Sequence, residues 1–193
     1  MVTIPSLKGY PKHLLLRDST PITIRLMEPG DKIRLLKFFE GVSEEDRHYL
    51  KENVTAPEVI QSWTSGINLQ RVIPIVALEG DAIVADGTLH RSRAPARQHV
   101  GEIRLVVAPA SRERGLGTRM IRELIDHAAS LGLHKVFFEL VARREEQAIG
   151  AAKSMGFGEA AVLQEAAKDY WGNLQDLVIL EYILKDAELW WRY

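Results

Sequence analysis

The sequence predicts a single mixed α/β (α+β) domain, and three observations carry that expectation. Short apolar segments broken by turn residues fill the first half of the chain and read as strands. A β-branched run, Val100 to Val107, leads straight into a stripe of apolar residues at helical spacing. After that stripe the order is strand, helix, strand, as in a sheet flanked by helices. At 193 residues, 46% hydrophobic and 26% charged, the chain fits one compact domain with a real core.

The elements follow in chain order. His13 to Arg17 and Ile22 to Leu26 read as strands joined by Asp18-Ser19-Thr20-Pro21, a hairpin that makes residues 1–21 an N-terminal extension. Asp31 to Gly41 places Ile33, Leu35, Leu36, Phe38 and Phe39 near helical spacing. Thr55-Ala56-Pro57-Glu58 has the form of a capping box, so a helix starts there with Trp63 on its later turns. Ile73 to Leu78 and Ala82 to His90 form a second hairpin around Glu79-Gly80-Asp81, and Val100 to Val107 is the next strand. Leu116, Met120, Ile121, Leu124, Ile125 and Ala128 make the apolar stripe of a helix that ends at Gly132. His134 to Val141 is a strand, Glu145 to Met155 a helix stopped by Gly156, and Val162 to Gln164 with Leu177 to Leu184 complete the sheet. Residues 185–193 end in an aromatic tail, Trp190, Trp191 and Tyr193, suited to docking on the protein's own body or on a second copy in a homodimer.

Composition excludes several classes. With 25 basic and 26 acidic residues the net charge of -1 gives no reason to expect a nucleic-acid partner. The absence of cysteine removes disulfides, thiolate metal sites and a cysteine nucleophile, and no pair of histidines has metal-ligand spacing with carboxylates. Met1 to Pro11 carry no apolar core of signal-peptide length and no apolar run is long enough to cross a bilayer, so the expectation is a cytoplasmic protein away from membranes.

The stretch with most chemistry runs from Gly101 to Leu124. The strand ends at Val106-Val107, Pro109 stops it, and Arg112-Glu113-Arg114-Gly115-Leu116-Gly117 opens the amphipathic helix, with Thr118 on its first turn. A helix start presents free N–H groups and the positive end of its dipole, glycines let a ligand approach the backbone, and arginines add charge. That combination suits a phosphate or diphosphate. A P-loop would need Lys and then Ser or Thr after the second glycine, but Thr118-Arg119 stand there. A dinucleotide fingerprint would need glycine at Met120. Spacing alone also leaves open a plain strand-to-helix turn.

The stretch as a whole resembles the GCN5-related N-acetyltransferase (GNAT) superfamily. Its signature is a hydrophobic strand, Pro, then Arg/Gln-x-x-Gly-x-Gly/Ala opening a helix, and Val106 to Gly117 matches it. Met155-Gly156-Phe157 matches a Gly-Phe after the second helix, and Lys168 to Asn173 with Asp176 to Ile179 resembles the closing region of bacterial members. The resemblance extends from about Ile22 to Leu184. It implies a GNAT-like, mostly antiparallel sheet flanked by helices and a direct transfer of acetyl from acetyl-CoA to an amine. In that scheme the cosubstrate meets Val106, Val107, Arg112, Arg114, Gly115, Leu116, Gly117 and Thr118, with no metal.

An alkylammonium has a pKa of about 10.4, so its proton must leave before the nitrogen attacks. Glu102 stands where some protein acetyltransferases of the superfamily carry their base; its plainer reading is a strand carboxylate paired with Arg104. The resemblance breaks at two positions. Glu145 stands where many members have Asn at the second helix start, and Ala152 where they have the Tyr that protonates the leaving thiolate. Tyr170 is the replacement candidate if the fold brings it near, the alternative being an aromatic packed beside Trp171. His90, His99, Arg143-Arg144, Asp169 and Asp176 are weaker candidates for acceptor or CoA contacts, or ordinary strand-end and loop residues.

Phe38-Phe39 and Val42 to Arg47 resemble the acceptor side of domains allied to bacterial protein-lysine acetyltransferases. The acceptor is thus expected to be a protein lysine or a small-molecule primary amine. The competing expectation, motivated by Ala152, is an acyl-CoA-binding sensor without catalysis.

Overall fold

A computed structural model describes residues 9–184. Eight strands form one continuous sheet in the order β1-β2-β3-β4-β5-β6-β8-β7. They are β1 (Lys12–Leu15), β2 (Pro21–Leu26), β3 (Val72–Glu79), β4 (Ala82–Arg91), β5 (Val100–Val107), β6 (Lys135–Val141), β7 (Gly158–Lys168) and β8 (Leu174–Ile183). Every neighbouring pair is antiparallel except β5 with β6. The helices are α1 (Lys32–Glu40), α2 (Glu44–Arg47), α3 (Pro57–Ser65), α4 (Leu116–Ser130) and α5 (Glu146–Ser154). The mixed, mostly antiparallel sheet expected from the sequence is the one observed.

Two cores lie on the two faces of this sheet. On one, Leu35, Phe38 and Phe39 of α1 and Ile60 of α3 pack on Val76, Leu78 and Ile83. On the other, Leu116, Met120, Ile121, Leu124 and Ala128 of α4 pack on Ile75, Leu89, Ile103 and Val136, with Ala152 of α5 alongside. Burying these stripes is what holds the helices down, since helices of this length are marginal alone. Ile33 departs from its expected place and is 78% exposed, because it lies about 200° round the helix from Leu35.

Three local expectations are corrected. Thr55 makes no capping box: Ala56 is the N-cap of α3, and the Thr55 hydroxyl donates instead to Asn53 Oδ1 at 2.7 Å. The strand expected at Val162 to Gln164 runs from Gly158 to Lys168, and β8 begins at Leu174. β7 is an edge strand exposed along nearly its whole length, so it lacks the alternation of a half-buried strand. The helix α2 was missed; Ser43 caps it by accepting the Asp46 N–H at 3.1 Å. The aromatic tail Trp190, Trp191 and Tyr193 lies outside the described residues, as do residues 1–8 of the N-terminal extension.

The described part of that extension is built into the sheet. Asp18 Oδ1 accepts the Thr20 N–H at 3.1 Å to close the β1–β2 turn. Just before and on β1, Tyr10 and Lys12 reach the buried polar side of α4. The Tyr10 hydroxyl meets His127 Nε2 at 2.8 Å, and Lys12 pairs with Glu123.

Candidate active site

The parallel ladder between β5 and β6 is short. It pairs Val100, Gly101 and Glu102 with Lys135, Val136 and Phe137, and then stops while both strands continue. The two strands therefore part beyond Glu102 and Phe137, leaving an opening in the middle of the sheet. Gly101 leaves room where they still touch: a Cβ there would lie 2.7 Å from Leu89 Cδ1 and 2.9 Å from Leu133 Cδ1, so a larger residue would displace those leucine tips.

β5 ends at Val107, and the short 3₁₀ turn Pro109–Ser111 carries the chain round to α4. Gly115 is the N-cap of α4 with φ 87°, a left-handed conformation that favours glycine, and no side chain caps the helix. The first helical bond runs from the Arg119 N–H to the Gly115 carbonyl. The N–H groups of Leu116, Gly117 and Thr118 precede it and have no partner within the helix. A Cβ at Gly117 would meet Leu105 and Val107 at ordinary contact distance, so the helix start lies over the end of β5. Val106 and Val107 are half-buried beneath this corner.

The two arginines of the loop have different duties. Arg114 turns to the β1–β2 turn: its Nε donates to Asp18 Oδ2 at 2.5 Å, its guanidinium also bonds Thr20, and it pairs with Glu79 at 3.4 Å. Arg112 stays at the opening. Its Nε donates to the Val107 carbonyl at 3.1 Å and its Nη2 to Asp46 Oδ2 at 2.8 Å. Arg144, just before α5, donates to the other oxygen of Asp46 at 2.8 Å. Burial would raise the Asp46 carboxyl, but Arg112 and Arg144 hold it below the ordinary aspartate value.

The segment carrying Asp46 thus straddles both lips of the opening. Five residues on, the Lys51 ammonium pairs with Glu139 of β6 and lies 3.9 Å from Glu102 Oε1 of β5. Beside it is an open cleft of about 500 Å³ whose walls include Glu44, His48, Lys51, Glu52 and Tyr170. The β7–β8 turn brings Tyr170 here. Asp169 organises that turn by accepting the N–H groups of Trp171 and Asn173, at 3.0 and 2.8 Å. The Tyr170 hydroxyl donates to Glu44 Oε2 at 3.0 Å, a bond that pushes its own ionisation up. Tyr170 is 49% exposed, with its ring edge-on to Trp171 and His48, and it lines the cleft, whereas Glu102 is linked to the cleft only through Lys51.

Glu102 shares its sheet face with Arg104, and through the β4 register with Asp86, Thr88 and His90. Arg104 grips it with two bonds of 2.8 and 2.9 Å. Burial favours the neutral acid, yet Arg104, with Lys51 and His90 adding, keeps the Glu102 carboxyl below its ordinary value. His90 is pushed down to about 4 by burial and by Arg104, so it is neutral near pH 7; its Nε2 lies 2.9 Å from the Thr88 hydroxyl. His99 sits at the opposite end of β5, beside His134. Glu145, raised by burial, accepts the Val141 N–H at 2.6 Å, closing off a backbone donor next to the opening. Among the described residues no group of three or more His, Asp or Glu is placed to hold a metal ion, and no helix is long and apolar enough to cross a membrane.

Asp46 lies in the Val42 to Arg47 segment singled out in the sequence, but Lys51 and Glu139 did not stand out there. The Ser43-x-x-Asp46 cap would have revealed α2, but nothing local marks Lys51 or Glu139. The family model described as the acetyltransferase (GNAT) family matches residues 36–157. No curated protein matches the chain by sequence. Among solved structures, a GNAT-family acetyltransferase from Streptococcus pneumoniae is similar at a TM-score of 0.75 and 18% identity, covering 84% of this chain and 99% of its own. A ribosomal-protein-alanine N-acetyltransferase from Brucella melitensis gives 0.74 and 23%, covering 83% and 99%. A Salmonella typhimurium protein solved with its cofactor acetyl-CoA gives 0.72 and 19%, covering 84% and 94%. At these identities the likeness is one of fold.

Proposed function

This chain belongs to the acetyltransferase (GNAT) family, and from that premise we propose that it moves an acetyl group from acetyl-CoA directly to a primary amine. The observation that carries the reading is the uncapped start of α4 beside the opening between β5 and β6. The free N–H groups of Leu116, Gly117 and Thr118 suit the diphosphate of CoA, with Arg112 at the rim and Val106-Val107 beneath the pantetheine. An extended pantetheine arm suits the parted strands, whose edges there carry no ladder partners. Arg114 supports the cradle from behind by fixing the loop to the N-terminal hairpin.

The amine enters from the cleft beside α2. Glu44, Glu52, Glu102 and Glu139 give that side carboxylates that attract an ammonium, and Glu102 is our candidate for the base that takes its proton. Tyr170, whose hydroxyl bonds Glu44 at the cleft, is our candidate for protonating the departing thiolate in place of the residue lost at Ala152. A protein lysine fits an open cleft as well as a small amine does, and both belong in the test. Steady-state CoA release and mass-spectrometric product detection with lysine peptides and small primary amines should show turnover. Tight acetyl-CoA binding with no acceptor acetylated would instead support a non-catalytic sensor, a reading that the Arg104 grip on Glu102 favours.

A further inference from the structure

One amine already occupies the place where an acceptor is needed, and it belongs to the chain itself. Lys51 Nζ bridges Glu102 on β5 and Glu139 on β6, across the two strands just where their ladder ends. The residues around it are built to keep it there. Asp46, on the same short segment, ties that segment to Arg112 at the α4 loop and to Arg144 before α5. His48 Nε2 meets the Lys168 carbonyl at 3.0 Å and Tyr170 bonds Glu44, so the β7–β8 turn clamps the segment from outside. Two carboxylates facing one ammonium, beside a half-open cleft, is also the arrangement expected for recognising an acceptor amine.

We propose that Lys51 is an automodification site, acetylated within its own chain by acyl-CoA bound at the α4 loop. The inference rests on the acetyl-transfer reading above. In the step, the ammonium first gives a proton to Glu102 or Glu139. The Lys51 nitrogen then attacks the thioester carbonyl; a C–N bond forms, the C–S bond breaks, and the second proton lost from the nitrogen passes through water to the departing CoA thiolate. The product is a neutral amide. It ends the ion pair with Glu139 and leaves Glu102 facing Arg104 alone, so modification removes the internal competitor from the acceptor cleft.

The full chain incubated with acetyl-CoA and no other amine, then digested and mapped by mass spectrometry, provides the test. Lys51 should gain one acetyl group at a rate constant independent of protein concentration, as an intramolecular step requires. Excess free CoA should slow it, and Gly117→Glu should stop it. When wild type is mixed with tagged Gly117→Glu, the tagged chain's Lys51 should stay unmodified. An unmodified Lys51, or one acetylated equally fast with excess CoA or in the variant, would overturn the proposal. Calorimetric titration with CoA and turnover of external amines separate the two readings. If CoA binds and external amines are acetylated while Lys51 is spared, this inference alone fails; if CoA does not bind, both fail.

Discussion

Asp46 Oδ2 accepts from Arg112 Nη2 at 2.8 Å, joining the short helix beside the open cleft to the loop that opens α4. The contact places a carboxylate on the arginine at the rim of the proposed diphosphate cradle. Asp46 therefore competes with the anion that Arg112 would otherwise meet. Asp46→Asn should tighten CoA binding. The Arg112 side chain is 44% exposed, and an exposed pair is worth at most about 1 kcal/mol, so the gain should be up to about fivefold. Calorimetry measures it, and weaker binding in the variant would show that the pair organises the cradle instead of competing for it.

Gly117 tests the cradle directly. Space for a side chain exists there, since a Cβ would meet Leu105 and Val107 at 3.8 Å, and the backbone is not left-handed. Gly117→Glu should keep the fold, seen as an unchanged circular dichroism spectrum, while its bulk and charge beside the free N–H groups abolish CoA binding. Unchanged affinity would remove the site.

Glu102 and Arg104 predict a pH effect with a definite sign. Arg104 holds the Glu102 carboxyl low, so a base at Glu102 loses activity only as the pH falls well into the acid range. Arg104→Met removes the cation and leaves burial to raise that carboxyl. The acid limb of kcat/KM should then move to higher pH, while Glu102→Gln should cut turnover and retain CoA binding. An acid limb that stays put in Arg104→Met would mean another group accepts the proton. Neutral His90 does not supply such a limb near pH 7.

Asp86 makes a prediction about stability. Its side chain is buried on β4, Oδ1 has no hydrogen-bond partner, and burial pushes its carboxyl up to about 7. An acid raised on folding binds its proton more tightly in the native state. Its penalty is absent below the unfolded value near 3.8, and it grows as the pH rises towards 7. Asp86→Asn should therefore gain stability over wild type between pH 5 and pH 8, by at most about 3 kcal/mol. Urea unfolding midpoints at the two pH values measure this, and an equal difference at both would contradict it.

Much of the fold was legible because its signals are local. The stripe from Leu116 to Ala128 and the paired strands around Asp18 and Gly80 each contain their own periodicity and turn residues. β7 was cut short because an exposed edge strand has no buried face to write into its sequence; its ladder with β8 extends it. Thr55 misled because a hydroxyl near a helix start can bond elsewhere, as it does to Asn53.

What the sequence by itself determined was the corner proposed to hold CoA: strand, proline turn, Gly115, Gly117 and helix are contiguous, so their geometry follows from local backbone preferences. The tertiary structure decided what surrounds that corner. It sent Arg114 to the hairpin and Arg112 to Asp46, turned Glu102 onto Arg104, and set Lys51 between Glu102 and Glu139, 51 and 88 positions further along the chain. Side-chain charges carry no label for partners that distant. Only the packing of α2 and the β7–β8 turn over the parted strands brings them within reach.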